Sequence, residues 1–300
     1  MPDQKHTPKV SIILPTYNRA GLIMETIASI QHQTYSNWEL IIVDDGSDDN
    51  TEEIIAQIND ARIQFHKAGR IGIVGKIKNI GIEMANGELI AFIDSDDLWA
   101  KTKLEKQIAA LQQCQEAGFS LTGGYNFKEP GKPLGYFYSQ KEGIRYDNIF
   151  IAFFKSEVST TMPSLMLRKE CLQKAGIFKE SKPFADVEFI LNLARHFKAV
   201  ILYEPLFYRR IHEANDSDSN WIKRHYEGIE MILSYKNDLP KVILADSLFR
   251  SYINFGEKCL KYQKKGKAIR SFINAWRRKP FSILPFKKSA KAMIYFLKGK

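Results

Sequence analysis

Short apolar runs alternate with amphipathic segments in the N-terminal third of the chain. The apolar runs are rich in β-branched residues and read KVSIILP, WELIIVDDGS and GELIAFIDSDD. The segments that follow them place apolar residues at helical spacing and read LIMETIASIQHQ, TEEIIAQI and KTKLEKQIAALQQCQ. Continuous apolar runs are typical of strands covered on both faces, and strand, helix, strand in series implies right-handed crossovers. The pattern therefore predicts an α/β fold with a mostly parallel sheet.

Polar residues collect where each predicted strand ends. PTYNR follows the first apolar run, DDGSDD ends the second and DSDD ends the third. In open parallel sheets, ligands bind in the crevice outside the carboxyl ends of the strands. The sequence therefore predicts a ligand site at this edge of the sheet.

The third of these segments places three carboxylates within four positions. In extended chain, side chains repeat with period two, so Asp94 and Asp96 point the same way. Two converging carboxylates favour a hard divalent cation, Mg²⁺ or Mn²⁺. Asp97 fits two roles equally well, a metal ligand or a cap for the helix predicted after it.

Two other binding motifs do not fit the spacing. A dinucleotide fingerprint needs G-x-G-x-x-G after the first strand, where this chain has PTYNRAG. A calcium loop needs glycine at its sixth position, whereas DDGSDDNTEE has it at the third.

The order and spacing of these motifs resemble the family 2 glycosyltransferases, which use nucleotide-diphospho-sugars and have the GT-A fold. The resemblance covers residues 8–215 and rests on VSIILPTYNR, DDGSDDNT, KNIGIEMANGELIAFIDSDD and the segments after them. It implies an inverting transfer of a sugar, with Mg²⁺ or Mn²⁺, from a nucleotide diphosphate to an acceptor. It further implies UDP as the nucleotide and a glycan or lipid-linked acceptor in bacterial surface polysaccharide synthesis.

The resemblance also assigns roles to residues of the donor site. The nucleotide-sugar ligands that it implies are Pro15, Thr16, Tyr17, Arg19, Asp44, Asp45, Lys78, Asp94 and Ser95. Lys78 stands where the family usually has Arg in the sequence ARN, so it keeps the charge and loses the planar fork. Asp44 and Asp45 also fit an ordinary Asp-Gly turn. Asp96 is implied as the direct metal ligand, with Asp94 and His212 beside it.

The resemblance places the catalytic base in PFADVEFILNLARHF. This segment is similar to the family's E-D-x-D helix start, with Ala185 replacing Glu, Asp186 retained and Glu188 in place of the second Asp. We expect Asp186 to take the proton of the acceptor hydroxyl, and helix capping is its alternative role. Arg209 and Arg210 are expected to add charge near the phosphates.

An aromatic, glycine-rich segment between these motifs is the kind of loop that contacts an acceptor. Its Tyr125, Tyr136 and Tyr138 could stack on sugar faces, although core packing is the commoner explanation for any one of them.

Composition bounds the domain organisation. The chain has 300 residues, of which 44% are hydrophobic and 26% charged, as is ordinary for a globular protein. We predict a GT-A domain over 8–220, with a nucleotide-binding half over 8–100 and an acceptor-binding half over 101–220. A helical tail is predicted over 221–300. The polar N-terminal segment MPDQKHTPKV does not resemble a signal peptide, which favours a cytoplasmic protein.

The C-terminal end of the chain is strongly basic. Residues 255–300 contain 14 Lys and Arg and one acidic residue, a net charge of +13, whereas the preceding residues carry 30 basic and 33 acidic residues. The sequence KAIRSFINAWRRKP predicts an amphipathic helix with an apolar stripe at Ile269, Phe272, Ile273 and Trp276, ended by Pro280. Such a helix favours an anionic membrane surface, here the inner face of the cell membrane.

Other interpretations of the chain stay open at this point. The tail could instead form a helical pair that packs on the catalytic domain, with its basic residues solvated. Nucleic acid is not an expected partner, because no reader motif is present. The departures at Lys78 and Ala185 leave a catalytically silent nucleotide-sugar-binding protein as one alternative function, and a membrane-surface-binding module as another.

Overall fold

The computed structural model describes residues 7–137, 141–180, 184–211 and 221–282. The chain divides into two compact units. The first unit comprises Met1–Phe150 and Val158–Asn215, and the second comprises Ile151–Glu157 and Asp216–Lys300. The sequence analysis did not predict that Ile151–Glu157 would belong to the second unit.

Ten strands and ten α-helices are formed by the described residues. The strands are β1 (Val10–Thr16), β2 (Trp38–Asp44), β3 (Ile63–Lys67), β4 (Leu89–Phe92), β5 (Leu98–Trp99), β6 (Ala117–Phe127), β7 (Pro133–Phe137), β8 (Ile144–Asp147), β9 (Met166–Arg168) and β10 (Lys198–Arg210). The helices are α1 (Ile23–Gln31), α2 (Thr51–Ala56), α3 (Val74–Met84), α4 (Lys103–Gln113), α5 (Phe150–Phe154), α6 (Leu172–Ala175), α7 (Ala185–His196), α8 (Trp221–Ser234), α9 (Lys241–Lys261) and α10 (Lys265–Arg278). Two short 3-10 helices cover Met162–Ser164 and Lys169–Cys171.

All ten strands belong to one sheet. Its order is β3-β2-β1-β4-β9-β6-β10-β5, with β7 added to β6 and β8 added to β10. The strands from β3 to β4 are parallel, as predicted, and β6 is parallel to β10. The short β9 runs antiparallel between β4 and β6.

The register of the parallel strands fixes where the polar segments meet. The last pair of β1 and β2 joins Thr16 to Asp44, and Ile13 lies opposite Phe92 near the end of β4. Every position of β2 and β4 is buried, which explains their continuous apolar runs. The three polar strand ends therefore lie side by side at one edge of the sheet, as predicted.

Two elements next to the site were missed from the sequence. β3 is a sheet-edge strand that alternates half-buried and exposed residues, so it lacks an apolar run. α3 contains glycines that argue against a helix, because glycine in a helix interior costs about 1 kcal/mol. Gly81 is needed for packing, since a Cβ at this position would lie 2.5 Å from Cγ2 of Ile13. The close packing of α3 against β1 thus explains why a glycine stands in this helix despite its low helix propensity.

The second unit has a core of its own between α9 and α10. Ala268, Phe272 and Ala275 of α10 are buried in one cluster with residues of α9 that include Phe249 and Cys259. The predicted amphipathic helix is confirmed, and it ends at Arg278, two residues before Pro280. Among the helices in the described ranges, none is long and apolar enough to cross a membrane.

A fully buried lysine lies in the first unit, at the start of α4. Nζ of Lys103 is 2.5 Å from Oε1 of Gln107 and 4.1 Å from the ring centroid of Trp99. Gln107 in turn donates to Oγ of Ser120 and to the carbonyl oxygen of Ser164, both over 2.9 Å. Burial lowers the pKa of Lys103 well below its ordinary value.

This lowered pKa predicts a pH-dependent stability. The unfolded chain binds a proton at Lys103 up to about pH 10.4, and the folded chain releases it at a lower pH. Unfolding therefore becomes less favourable as the pH rises through this window, by up to about 1.4 kcal/mol per pH unit. We expect Lys103→Met to lose this gain at pH values below about 10.4, the ordinary pKa of lysine, as measured by urea unfolding over a pH series.

The matched control is Lys106→Met in the same helix, whose side chain is partly exposed. It should leave the pH dependence unchanged. Equal slopes for the wild-type protein and Lys103→Met would show that Lys103 keeps its proton in the folded state.

Candidate active site

The loops that follow β1 and β2 are tied together by side chains. Oδ2 of Asp49 accepts a hydrogen bond from the amide of Ala20, and Oγ1 of Thr51 accepts one from the amide of Arg19, both over 3.0 Å. The amide of Asn18 donates to Oγ of Ser47 over 2.9 Å. The polar DDGSDD segment thus holds the loop that carries Tyr17 and Arg19.

Asp44 and Asp45 have different partners. The carboxylate of Asp44 accepts the amides of Gly46 and Ser47, over 3.1 and 2.9 Å, which is the turn chemistry that the sequence analysis gave as the alternative. Oδ1 of Asp45 accepts the amides of Ile71 and Gly72, over 2.6 and 3.0 Å. Asp44 therefore stabilises its own turn, and Asp45 anchors the loop between β3 and α3.

Arg70, in that same loop, is a site residue that sequence reasoning missed. Its guanidinium pairs with Asp45 and lies 3.8 Å from the ring centroid of Tyr17. It therefore covers one face of the Tyr17 ring. Arg70 lies in the segment AGRIGIVG. This segment could be recognised as the polar end of a strand only if β3 had been predicted. The hydroxyl of Thr16 is buried nearby and has no hydrogen-bond partner among the described residues.

Asp97 ties the acidic loop after β4 to β10. Its Oδ1 accepts the amide of Arg210 over 2.9 Å. α4 begins at Lys103 with Thr102 in the N-cap position, so the expectation that Asp97 caps a helix is wrong. The sequence pattern was misleading because β5 lies between the acidic loop and the helix.

The side chain of Arg210 also contacts the acidic loop. Its Nε donates to the carbonyl oxygen of Asp96 over 3.0 Å, and its Nη2 lies 2.6 Å from Oε2 of Glu25. The side chain is largely buried. Its contacts therefore hold the loop, whereas the sequence analysis expected it to face phosphates. The positive charge of Arg209 acts on Asp94 and Asp97 and opposes the rise in their pKa values.

The carboxylates of the acidic loop repel one another. Burial raises the pKa of Asp94, and the charges of Asp186 and Asp96 raise it further. Burial and the same loop's Asp94 and Asp96 raise the pKa of Asp97 well above its ordinary value. The side chain of Asp94 is nonetheless 44% exposed and that of Asp96 13% exposed, so both open to a ligand.

This donor set fits a divalent cation. Carboxylate oxygens are hard ligands of the kind that Mg²⁺ and Mn²⁺ prefer, and a cation would relieve the repulsion. Asp96 and Asp94 would hold it. Within the described ranges, no three His, Cys, Asp or Glu side chains converge as metal ligands, so an ion here would complete its shell with water and donor oxygens. His212 lies outside the described residues.

Asp186 lies in the first turn of α7 and faces a buried lysine. Phe184 is the N-cap residue of this helix, and no side chain caps it, so the capping interpretation of Asp186 is wrong. Nζ of Lys78 lies 2.7 Å from Oδ1 of Asp186 and 4.0 Å from Oδ1 of Asp94. Burial works against the charge of Lys78, but the attraction of both carboxylates outweighs it and raises the pKa of Lys78.

The structure thus brings the predicted base to the acidic loop, although the two lie far apart in the sequence. Other residues that were expected in the site are partly or fully buried or pack against other side chains. Ser95 is buried and Pro15 is half-buried. Glu188 is buried and lies 3.1 Å from Nζ of Lys179. Tyr138 lies outside the described residues, and Tyr125 and Tyr136 pack edge to face with ring centroids 5.4 Å apart.

Residues 11–171 match the sequence profile described as Glycosyl transferase family 2. The chain belongs to this family. It is therefore a glycosyltransferase, and the resemblance stated from the sequence is confirmed.

Two relatives with named activities are similar to this chain. It is 38% identical over 143 residues to the putative teichuronic acid biosynthesis glycosyltransferase TuaG of Bacillus subtilis, covering 47% of this chain and 56% of TuaG. It is 39% identical over 179 residues to WfaP of Escherichia coli, a UDP-Glc:alpha-D-GlcNAc-diphosphoundecaprenol beta-1,3-glucosyltransferase, covering 60% of this chain and 66% of WfaP. The matches thus span about half to two thirds of the length of these relatives.

Solved structures show the same fold. The complex of S. aureus TarS 1-349 with UDP-GlcNAc has a TM-score of 0.69 at 20% identity, covering 95% of this chain and 89% of TarS. The mannosyltransferase PcManGT of Pyrobaculum calidifontis, in complex with GDP-Man and Mn2+, has a TM-score of 0.63 at 20% identity, covering 99% of this chain and 83% of that one. At this identity the likeness establishes the GT-A fold, as predicted.

Removing one carboxylate tests the cation site. Asp96→Asn keeps the shape of the side chain but removes the charge that would hold the ion. We expect it to abolish the Mn²⁺-dependent part of the affinity for UDP in isothermal titration calorimetry, and chelation by EDTA should do the same to the wild-type protein. An unchanged melting temperature is the control. Equal UDP affinities with and without Mn²⁺ in the wild-type protein would contradict the site.

Proposed function

We propose that this enzyme transfers a sugar from a UDP-sugar to a hydroxyl of a glycan or lipid-linked acceptor, with inversion, in the synthesis of a bacterial surface polysaccharide. The observation that carries the proposal is the position of Lys78 between Asp186 and Asp94. It joins the expected base to the expected donor-binding loop. The named activity of WfaP and the UDP-GlcNAc complex of TarS support the choice of nucleotide.

Asp186 has the geometry of a general base. Lys78 holds Oδ1 of Asp186, and 45% of the Asp186 side chain is exposed. The other carboxylate oxygen of Asp186 can therefore receive a proton. As the acceptor oxygen attacks the anomeric carbon, its proton passes to Asp186 and the bond from this carbon to the diphosphate oxygen breaks. The nucleotide diphosphate leaves on the opposite face. One displacement of this kind inverts the configuration at the anomeric carbon.

The leaving diphosphate adds negative charge beside carboxylates. Asp94 and Asp96 would hold Mg²⁺ or Mn²⁺, and such an ion neutralises charge on the leaving group when it is bound. Nε of Arg19 lies 3.8 Å from Oδ2 of Asp96, so this chain supplies a cation of its own at the same place. Tyr17 and Arg70 would contact the nucleobase, and Thr16 lies beside them.

A membrane surface is the partner that we propose for the second unit. Phe272 is buried within this unit, which removes it from the predicted apolar stripe. Ile273 and Trp276 face outward on α10 with 46% and 38% exposure. Arg270 and Arg277, at i−3 and i+4 from Ile273, are exposed on the same face. Apolar side chains flanked by bases fit the headgroup region of anionic lipid, at the inner face of the cell membrane.

Replacing the base tests the catalytic proposal. Asp186→Asn keeps the shape of the side chain, but its amide cannot accept the proton. We expect sugar transfer to fall by at least about 100-fold, because positioned proton transfer contributes about 10²- to 10⁴-fold in rate. UDP affinity and melting temperature should stay near their wild-type values. Transfer is measured from a panel of UDP-sugars to an N-acetylglucosaminyl diphospholipid, the kind of acceptor named for WfaP.

The control for this experiment is Glu180→Gln. Glu180 precedes α7 in the chain, and its exposed carboxylate pairs with Lys76. This variant should transfer sugar normally. A wild-type rate for Asp186→Asn, in an assay limited by chemistry, would place the base elsewhere.

Replacing the outward apolar residues tests the membrane proposal. The double variant Ile273→Ser, Trp276→Ser should lose at least about tenfold in co-sedimentation with phosphatidylglycerol vesicles, because it removes the apolar side chains that would enter the headgroup region. The buried face of α10 is untouched, so the second unit should still fold. Binding of the wild-type protein should weaken steeply with salt, since each base near an anionic surface contributes about 1 kcal/mol. Val242→Ser removes another exposed apolar side chain of this unit and serves as the control. Equal sedimentation of all three proteins would exclude this face.

A further inference from the structure

Lys78 is the residue whose contacts differ most from the role that the resemblance assigns to it. We infer that Lys78 is a positioning residue for Asp186, which orients the base for the acceptor, and that it is not a ligand of the nucleotide. This inference rests on the proposed function, in which Asp186 is the base.

The burial of Lys78 argues against direct contact with the nucleotide. Only 1% of its side chain is exposed, so a ligand bound in the cleft does not reach its amine without a rearrangement. The carboxylates of Asp94 and Asp186 are about half exposed. The amine of Lys78 is therefore excluded from solvent, whereas the two carboxylates that pair with it are open to a ligand.

The next residue, Asn79, fixes the segment that leads into α7. Nδ2 of Asn79 donates to the carbonyl oxygen of Phe178 over 2.9 Å, and the amide of Phe178 donates to Oδ1 of Asn79 over 3.0 Å. The ring of Phe178 stacks on Phe189 of α7 with centroids 4.1 Å apart. Consecutive residues of α3 thus contact two parts of this region. Asn79 holds the backbone of Phe178, whose ring packs on α7, and Lys78 pairs with Asp186 in α7 itself.

The position of α3 is itself fixed by packing. Gly81 brings the helix against Ile13 of β1, and β1 carries the loop of Tyr17 at its end. The amine of Lys78 is therefore set in the same frame as the donor-binding loops. A carboxylate held at one oxygen by such an amine is restricted in its rotation, so its other oxygen keeps one direction, as a base that has to meet an acceptor hydroxyl requires.

The second carboxylate gives Lys78 a partner throughout the reaction. When Asp186 takes up the acceptor proton, it loses its negative charge. Asp94 lies 4.0 Å from Nζ of Lys78 and still compensates the buried cation. The geometry thus allows Asp186 to change its charge without leaving Lys78 buried and unpaired, which is costly.

The experiment compares Lys78→Met, Lys78→Arg, Asp186→Asn and the double variant Lys78→Met, Asp186→Asn. We expect Lys78→Met to lower kcat for sugar transfer by about 100-fold, the effect of misplacing a reacting group by about 1 Å. The Kd for UDP should stay within about threefold of wild type. Lys78→Arg keeps the charge and should recover at least tenfold of the lost kcat. Because Lys78 acts through Asp186, the double variant should be no slower than Asp186→Asn alone.

Each contrary result has a distinct meaning. A tenfold or greater loss of UDP affinity with unchanged kcat would make Lys78 a nucleotide ligand and overturn the inference. Additive losses of kcat in the double variant would show that Lys78 acts independently of Asp186, which also overturns it. Normal transfer by Asp186→Asn would instead refute the proposed base. If Lys78→Met does not fold, the cycle of Lys78→Gln with Asp186→Asn answers the same question, because glutamine removes the charge and stays polar.

Discussion

Negative charge at the end of β4 has to be balanced by cations, and the arrangement of the first unit follows from that requirement. Asp94, Asp96 and Asp97 lie in the short loop after β4, and the charge of Asp186 from α7 acts on Asp94. The fold brings Lys78 from α3, Arg19 from the loop after β1 and Arg209 from β10 to the same place. Lys78 and Arg209 act to lower the pKa of Asp94, but burial outweighs them, and the charges of Asp186 and Asp96 raise it further. A further cation bound there would stabilise the ionised carboxylates.

Two buried lysines show how far carboxylates decide the state of an amine. Lys78 and Lys103 are both almost completely excluded from solvent. The pKa of Lys78 is raised because Asp186 and Asp94 face it, whereas burial alone lowers that of Lys103, whose hydrogen-bond acceptor is the neutral Gln107. The same side chain is thus a fixed charge in one place and a polar element of the core in the other. Only the first arrangement suits a residue that orients a base.

Much of the fold was predictable from the sequence, but the connections between distant residues were not. The apolar runs of β1, β2 and β4 are long and continuous, so their strands and their parallel order could be recognised. The edge strand β3 and the glycine-containing α3 carry no such pattern, and Arg70 was missed along with them. The polar strand ends predicted where the site lies. The pairing of Asp97 with Arg210 and of Lys78 with Asp186 depends on β5, β10 and α7 meeting the acidic loop, which no local pattern encodes.

One departure from the family pattern lies in the Lys78–Asp186 ion pair, and the other lies next to it in the chain. In the pattern that this chain resembles, an Arg stands at position 78 and a Glu at position 185. An arginine presents a planar fork that suits paired acceptor oxygens, whereas a lysine is a compact point charge. In this chain Ala185 is buried and offers no carboxylate, which leaves Asp186 as the carboxylate of this helix turn that faces α3. A lysine matches one carboxylate oxygen held at 2.7 Å, so Lys78 suits a helix turn that offers α3 a single carboxylate.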